Sequence, residues 1–172
     1  MSLLALKNTA KNVNEEVLQR LIEIDKHRLY RIAYIYVKNE DDALEIVQET
    51  VYKAFVNIKK LKQPEFFNTW ITRIIVNASL DYIKKRNRLI YIEEERELDK
   101  NATEDTEYID LYKAVDSLEG MYKTVIILKY FEDLKIKDIA KILEVTESNV
   151  KNYIHKALNL LRVELKEGEG IE

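Results

Sequence analysis

Apolar residues recur along this chain at helical spacing. From Asn14 to Val37 they fall at Val17, Leu18, Leu21, Ile24, Leu29, Ile32, Ala33, Tyr36 and Val37, steps that line one face of an α-helix. The polar run "KNEDD" breaks the pattern, with Asn39 as a C-terminal stop and the acids suited to the start of a new helix. The next amphipathic stretch, "DALEIVQETVYKAFVNI", puts Ala43, Ile46, Val47, Thr50, Val51, Ala54 and Phe55 on one face. Pro64 marks a loop in "KKLKQPE". After it, "EFFNTWITRIIVNASLDYIKKRNR" reads as a helix with an apolar middle and a charged end at Lys84 to Arg88.

A second helical block follows a polar gap. "YIDLYKAVDSL" and "GMYKTVIILKYF" predict two helices, and "KIKDIAKILEV" and "TESNVKNYIHKALNLLRVELK" predict two more. The fold class is therefore all-α, as two small helical domains: 14–91 and 108–167, joined by a linker at 92–107, with tails at 1–13 and 168–172.

The last two predicted helices have the layout of a helix-turn-helix. Ile136, Ile139, Ala140 and Leu143 suit one face of the first, and the small Ala140 permits close approach. "EVT" supplies a tight turn with Val145 plugging the corner, and Thr146 can cap the next helix through its hydroxyl. That helix turns Val150, Ile154, Ala157, Leu158, Leu161 and Leu165 to one side. Its other side offers Ser148, Asn152, His155 and Asn159, flanked by Asn149 and Lys156, with Lys151 close by. Hydroxyl, amide, imidazole and ammonium groups read base edges and phosphates, and no carboxylate follows Glu147 on this face.

Charge at first argues against nucleic acid, since the 172 residues hold 28 Lys+Arg against 31 Asp+Glu. The imbalance is local. Residues 1–92 carry 16 basic and 11 acidic side chains, residues 93–110 carry 2 and 9, and residues 111–172 carry 10 and 11. A +5 block is masked by a −7 connector, and binding responds to local patches more than to the total. The connector, "IEEERELDKNATEDTE", reads as a solvated acidic tether.

With three glycines and one proline, turn formers are too scarce for an all-β or Gly-loop architecture. There is no cysteine, which excludes disulfides and thiolate metal sites, and His27 and His155 lack the spacing of a local metal site. Neither a Gly-rich phosphate loop nor a nucleophile–base set is present, so no catalytic residue, metal or cofactor is expected. No apolar run approaches the roughly 20 residues of a membrane helix. The expectation is a soluble cytoplasmic protein with no direct membrane insertion.

Together these stretches resemble the extracytoplasmic-function (ECF) sigma factors, the small two-domain specificity subunits of bacterial RNA polymerase. "LYRIAYIYVKNEDDALEIVQETVYKAFVNI" is similar to sigma region 2, with Asp42-Ala43 and Val47 to Thr50 in the usual places. "FNTWITRIIVNASLDYIKKRNR" is similar to the helix that follows it, and "LEGMYKTVIILKYFEDLKIKDIAKILEVTESNVKNYIHKALNLLR" to region 4. The resemblance covers Asn14 to Lys166. It implies that Asp42, Glu45, Gln48 and Glu49 dock on a coiled coil in the largest subunit of core RNA polymerase. It implies that region 2 holds unstacked bases of the promoter −10 element. The pocket so implied is built by the loop 59–66 and the helix after it, where Asn77 matches the family's asparagine; Phe66 and the cations Lys59, Lys60, Lys84, Lys85, Arg86 and Arg88 are candidates by their chemistry, as aromatic faces and cationic side chains hold single strands. Trp70 is assigned to the core.

For the −35 element it implies contacts from Ser148, Asn149, Lys151, Asn152, His155 and Lys156. The partners so implied are core polymerase, promoter DNA and an anti-sigma factor, which in many members is anchored in a membrane. Two departures stand out: Tyr153 and Leu158 occupy positions where many members carry arginine, and Glu119-Gly120 replaces a common proline pair. The competing reading is a conventional helix-turn-helix regulator that binds duplex DNA as a dimer.

Overall fold

The computed structural model describes residues 14–93 and 109–168, which form helices and turns with no strand among them. The chain divides into two compact units, 1–86 and 87–172. The tails at 1–13 and 169–172 and the acidic stretch 94–108 lie outside the described residues.

The first unit opens with α1, Glu15–Val37, capped by the Asn14 side chain, which accepts the Val17 N–H at 2.9 Å. Its buried stripe is Leu18, Leu21, Ile22, Asp25, Leu29, Ile32, Ala33 and Tyr36. Ile24, expected in the stripe, is 43% exposed. Asp25 sits on the core line that the apolar pattern left vacant, and Arg28 neutralises it with two bonds of 2.8 and 2.7 Å. Arg28 also donates to Thr72 Oγ1 at 3.0 Å, so one guanidinium links two helices. A buried carboxylate is tolerated only with such pairing.

Lys38 ends α1 in a left-handed conformation, φ 53°. Asn39, expected as that stop, instead caps α2, Glu40–Val56, its side chain accepting the Asp42 N–H at 2.9 Å. The reason is that an asparagine oxygen satisfies an otherwise unpaired N–H at a helix start, and three acids then follow in the favourable first turn. Ala43, Ile46, Thr50 and Ala54 are buried, while Val47, Val51 and Phe55 lie partly buried beside them. Thr50 enters the core by donating its hydroxyl to the Ile46 carbonyl at 2.8 Å.

The expected Pro64 loop holds two single 3-10 turns, Ile58–Lys60 and Pro64–Phe66. Leu61 and Pro64 are buried and anchor it. Helix α3, Phe67–Glu93, follows, and Phe67, Ile71, Ile75 and Val76 complete the core. Burying a side chain of this size stabilises by about 1.5–3 kcal/mol. The helix includes Ile92 and Glu93, where the sequence placed the first linker residues.

The second unit holds α4 (Ile109–Ser117), α5 (Gly120–Ile126), α6 (Ile136–Leu143) and α7 (Glu147–Gly168). Gly120 opens α5 with φ 53°, a value that glycine adopts without strain. Lys123 on α5 is buried against Asp116 of α4, Nζ to Oδ1 3.1 Å. Helix α5 runs into a π turn, Ile127–Phe131. Val125, Ile127, Leu128, Ile139, Val150 and Ala157 form the centre of this core.

Candidate functional site

The turn between α6 and α7 sets the presentation of α7. Glu144 takes a left-handed φ of 56°, and its N–H and that of Val145 both reach the Ala140 carbonyl. Thr146 Oγ1 then accepts the Asn149 N–H at 3.2 Å, which is the cap expected from the sequence. Val150, Ala157 and Leu161 turn inward, Ile154 and Leu165 are partly buried, and Val145 is half-covered at the corner.

Ser148, Asn149, Lys151, Asn152, His155 and Lys156 are all exposed. His155 Nδ1 lies 3.4 Å from the Asn159 amide nitrogen, one turn further on. Leu158, expected on the apolar side, is 37% exposed because it falls at the edge of that stripe. Tyr153 is partly buried, its ring edge-to-face with Tyr122 at 6.1 Å. Tyr153 thus packs α7 on α5.

In the first unit the row Glu45, Gln48 and Glu49 is exposed along α2. A groove of about 470 Å³ runs beside it, bounded by Glu45, Gln48, Glu49, Tyr52 and Lys53 from α2 and by Ala78, Asp81 and Lys85 among the residues from α3. Lys53 Nζ lies 3.3 Å from Glu49 and 4.0 Å from Asp81. Tyr52 is 65% exposed in the middle of this face, a large aromatic side chain that the sequence reading passed over. Its signal was available: it lies three and four residues from Glu49 and Gln48, on the acidic face and off the apolar one.

Asp42 differs from the other three members of the row. It is partly buried, and both of its oxygens are taken within the unit. Oδ1 accepts the Tyr82 hydroxyl at 2.7 Å, and Oδ2 accepts Arg86 Nη1 at 3.3 Å. The bond to Asp42, with burial and the nearby Asp42 and Glu45 charges, pushes the Tyr82 hydroxyl up to about 12, Arg86 acting against it.

The residues expected at single-stranded DNA are accessible. Lys59 and Lys60 are exposed on the first 3-10 turn, and Phe66 is 55% exposed on the second. On α3, Asn77, Lys84, Lys85, Arg86 and Arg88 are exposed, while Trp70 is partly buried. Lys85 and Arg86 stand on the side of α3 that meets α2, so the two expected surfaces share a border. Among the described residues no group of acidic or histidine side chains could hold a metal ion, and no helix is long and apolar enough to cross a membrane.

Comparison with known proteins agrees with this layout. Residues 21–89 match the family model for Sigma-70 region 2, and residues 108–161 match that for Sigma-70, region 4. The chain is 36% identical over 157 residues to RNA polymerase sigma factor SigV of Bacillus subtilis, covering 90% of this chain and 95% of that protein. It is 28% identical over 181 residues to ECF RNA polymerase sigma factor SigW of the same organism, covering 91% and 93%. Among solved structures it is similar in fold to the sigma factor RpoE in complex with the anti-sigma factor NepR from Bartonella quintana. That match has TM-score 0.70 and 22% identity, covering 86% of this chain and 96% of that one. It is also similar to CnrH in complex with the cytosolic domain of CnrY, with TM-score 0.65 and 18% identity, covering 96% and 95%.

Proposed function

The chain belongs to the ECF sigma factors of bacterial RNA polymerase, and from that premise we propose how its surfaces divide the work. The acidic face of α2, with Glu45, Gln48, Glu49 and Tyr52, docks on the coiled coil of the largest polymerase subunit. A row of carboxylates and an amide at three- and four-residue spacing offers partners to a basic helical surface. The loop at 59–66 and helix α3 hold unstacked −10 bases, through Phe66, Asn77 and the cations at Lys59, Lys60, Lys84, Lys85, Arg86 and Arg88. Helix α7 reads the −35 element through Ser148, Asn149, Lys151, Asn152, His155 and Lys156.

The observation that carries this reading is the capped helix α7, whose exposed face bears hydroxyl, amide, imidazole and ammonium groups. The chain itself catalyses nothing. Opening the duplex draws on binding energy, since unstacking costs on the order of a few kcal/mol per base and a pocket must return that much. The protein works in the cytoplasm and is held inactive by an anti-sigma factor that covers its polymerase and DNA surfaces, with the acidic connector as a tether between the two regions. A membrane-anchored inhibitor would hold it at the membrane without any insertion of its own.

The test is transcription in vitro with core polymerase and genomic DNA, with start sites mapped. Promoter-specific starts that require both core and this chain are expected. Their absence with active core overturns the reading. Tight, specific duplex binding by the isolated protein as a dimer would point instead to a conventional regulator.

A further inference from the structure

Asp42 stands in the row that the family resemblance assigns to polymerase, yet its carboxylate is engaged inside the protein. Its N–H is held by Asn39 at 2.9 Å, its Oδ1 by the Tyr82 hydroxyl at 2.7 Å, and its Oδ2 by Arg86 at 3.3 Å. Tyr82 and Arg86 lie one helical turn apart on α3, so they reach α2 from a single face. The carboxylate is also in the first turn of α2, where the helix dipole favours negative charge. It is 24% exposed, against 50% for Glu49. Another polar link from α2 to α3, Lys53 to Asp81, is longer at 4.0 Å and more exposed. Each Asp42 oxygen already accepts one bond from α3, which fixes the carboxylate's orientation and leaves little of it exposed, whereas Glu49 makes an exposed pair within its own helix.

We propose that Asp42 is a positioning residue: with Tyr82 and Arg86 it clamps the docking helix α2 to the −10 helix α3 and fixes the angle at which α3 meets the opening strand. The clamp acts on promoter opening and not on affinity for core polymerase. Arg86 belongs to both functions, since it closes the clamp and stands beside Lys84, Lys85 and Arg88 in the basic end of α3. The Tyr82 ring lines the groove beside the docking row, but its hydroxyl is bound to Asp42, so removing the hydroxyl and keeping the ring is the clean cut. The inference rests on the assignment of α2 to polymerase and α3 to the −10 strand.

The experiment uses the full chain with core polymerase and a promoter obtained by start-site mapping, as a duplex and as the same fragment with a non-complementary −10 bubble. Tyr82→Phe removes the hydroxyl and keeps the ring; Asp42→Asn keeps an acceptor and removes the charge. Both are expected to hold core affinity within about twofold and to lower permanganate reactivity of −10 thymines on the duplex by about tenfold or more, the scale of one hydrogen bond to a charged group. Transcription from the bubble template should return to near wild type, a rescue that general loss of stability would not give. Three results overturn the clamp: Tyr82→Phe opens the duplex like wild type; Asp42→Asn weakens core binding while Tyr82→Phe changes nothing; or Tyr82→Phe loses melting temperature, core affinity and bubble transcription together. Glu49→Lys is the separate control. If it leaves core affinity intact, the docking assignment fails whatever Tyr82 shows.

Discussion

The Tyr82 hydroxyl donates to Asp42 Oδ1 at 2.7 Å across forty residues of sequence. A carboxylate acceptor favours the neutral phenol, and the hydroxyl is pushed up to about 12. The sign follows from linkage. A folded value above the ordinary tyrosine value of about 10 contributes stability that is fully present below pH ~10 and is lost as pH rises through about 12. Tyr82 should ionise late in an absorbance titration near 295 nm, a step read as the difference between wild type and Tyr82→Phe because Tyr30 is raised as well. That late step should vanish in Tyr82→Phe and fall in Asp42→Asn. The stability gap between wild type and Tyr82→Phe, measured by urea unfolding, should narrow above pH ~10. A gap that widens there would show that the bond does not favour the neutral phenol.

Tyr52 is the expected anchor of polymerase docking. Exposed aromatic residues within a polar face tend to carry a large share of binding energy. Tyr52→Ala should weaken core binding by about 2 kcal/mol, roughly 30-fold, with little effect on folding because the ring is 65% exposed. Glu49→Lys should weaken it by about tenfold and steepen with falling salt. Titration of labelled core polymerase with each variant checks both. An unchanged affinity in Tyr52→Ala removes it from the interface.

Two caps set the starts of the two functional helices. Asn39→Ala leaves the Asp42 N–H without its side-chain acceptor, and Thr146→Ala does the same to Asn149. Each should cost about 1 kcal/mol. Chemical denaturation of the full protein, followed by probes placed in each unit, should show the first loss in the 14–86 unit and the second in the region of α7. Losses below a few tenths of a kcal/mol would mean that water replaces the side-chain acceptor.

Periodicity made the helices legible because each buries one stripe. Its failures have local causes. The apolar pattern puts Ile24 in the core and leaves Asp25 out, yet a carboxylate paired twice by Arg28 holds the core line better than its formal charge suggests. Asn39 reads as an end because asparagine serves both ends of helices, and only the backbone shows that Lys38 already closes α1. Leu158 counted as apolar by type, but a 22-residue helix in a small unit has more apolar positions than neighbours to cover them. The exposure of the −35 candidates followed from helical phase. The engagement of Asp42 did not, since Tyr82 and Arg86 lie beyond any local pattern.

Within α7, phosphate and base contacts should separate by salt. Lys156→Ala removes one cation, so the slope of log affinity against log salt for holoenzyme on a promoter should fall by about 0.9, across sequences alike. Asn152→Ala should keep the slope and cost about 1–3 kcal/mol at the −35 base it contacts, relaxing preference there. Holoenzyme binding to wild-type and −35-substituted fragments over a salt series distinguishes the two. Equal slopes for Lys156→Ala and wild type would place that lysine away from phosphate.

Leu158 and Tyr153, the two positions where the resemblance leads one to expect arginine, should respond differently to its introduction. Leu158 is 37% exposed at the edge of its stripe, so Leu158→Arg loses little packing and adds a cation to α7. Promoter affinity should rise, with the salt slope steeper by about 0.9 if the new guanidinium reaches a phosphate. Tyr153→Arg removes an edge-to-face pair with Tyr122 at 6.1 Å, which is worth about 0.5–1.5 kcal/mol beyond its buried area. That variant should melt earlier, and its added charge should not restore promoter binding as far as Leu158→Arg does. Thermal unfolding and salt-dependent promoter binding on the same preparations test the pair. If Tyr153→Arg keeps its melting temperature and matches Leu158→Arg in affinity, the Tyr122 contact is dispensable and packing does not explain the aromatic residue at this position.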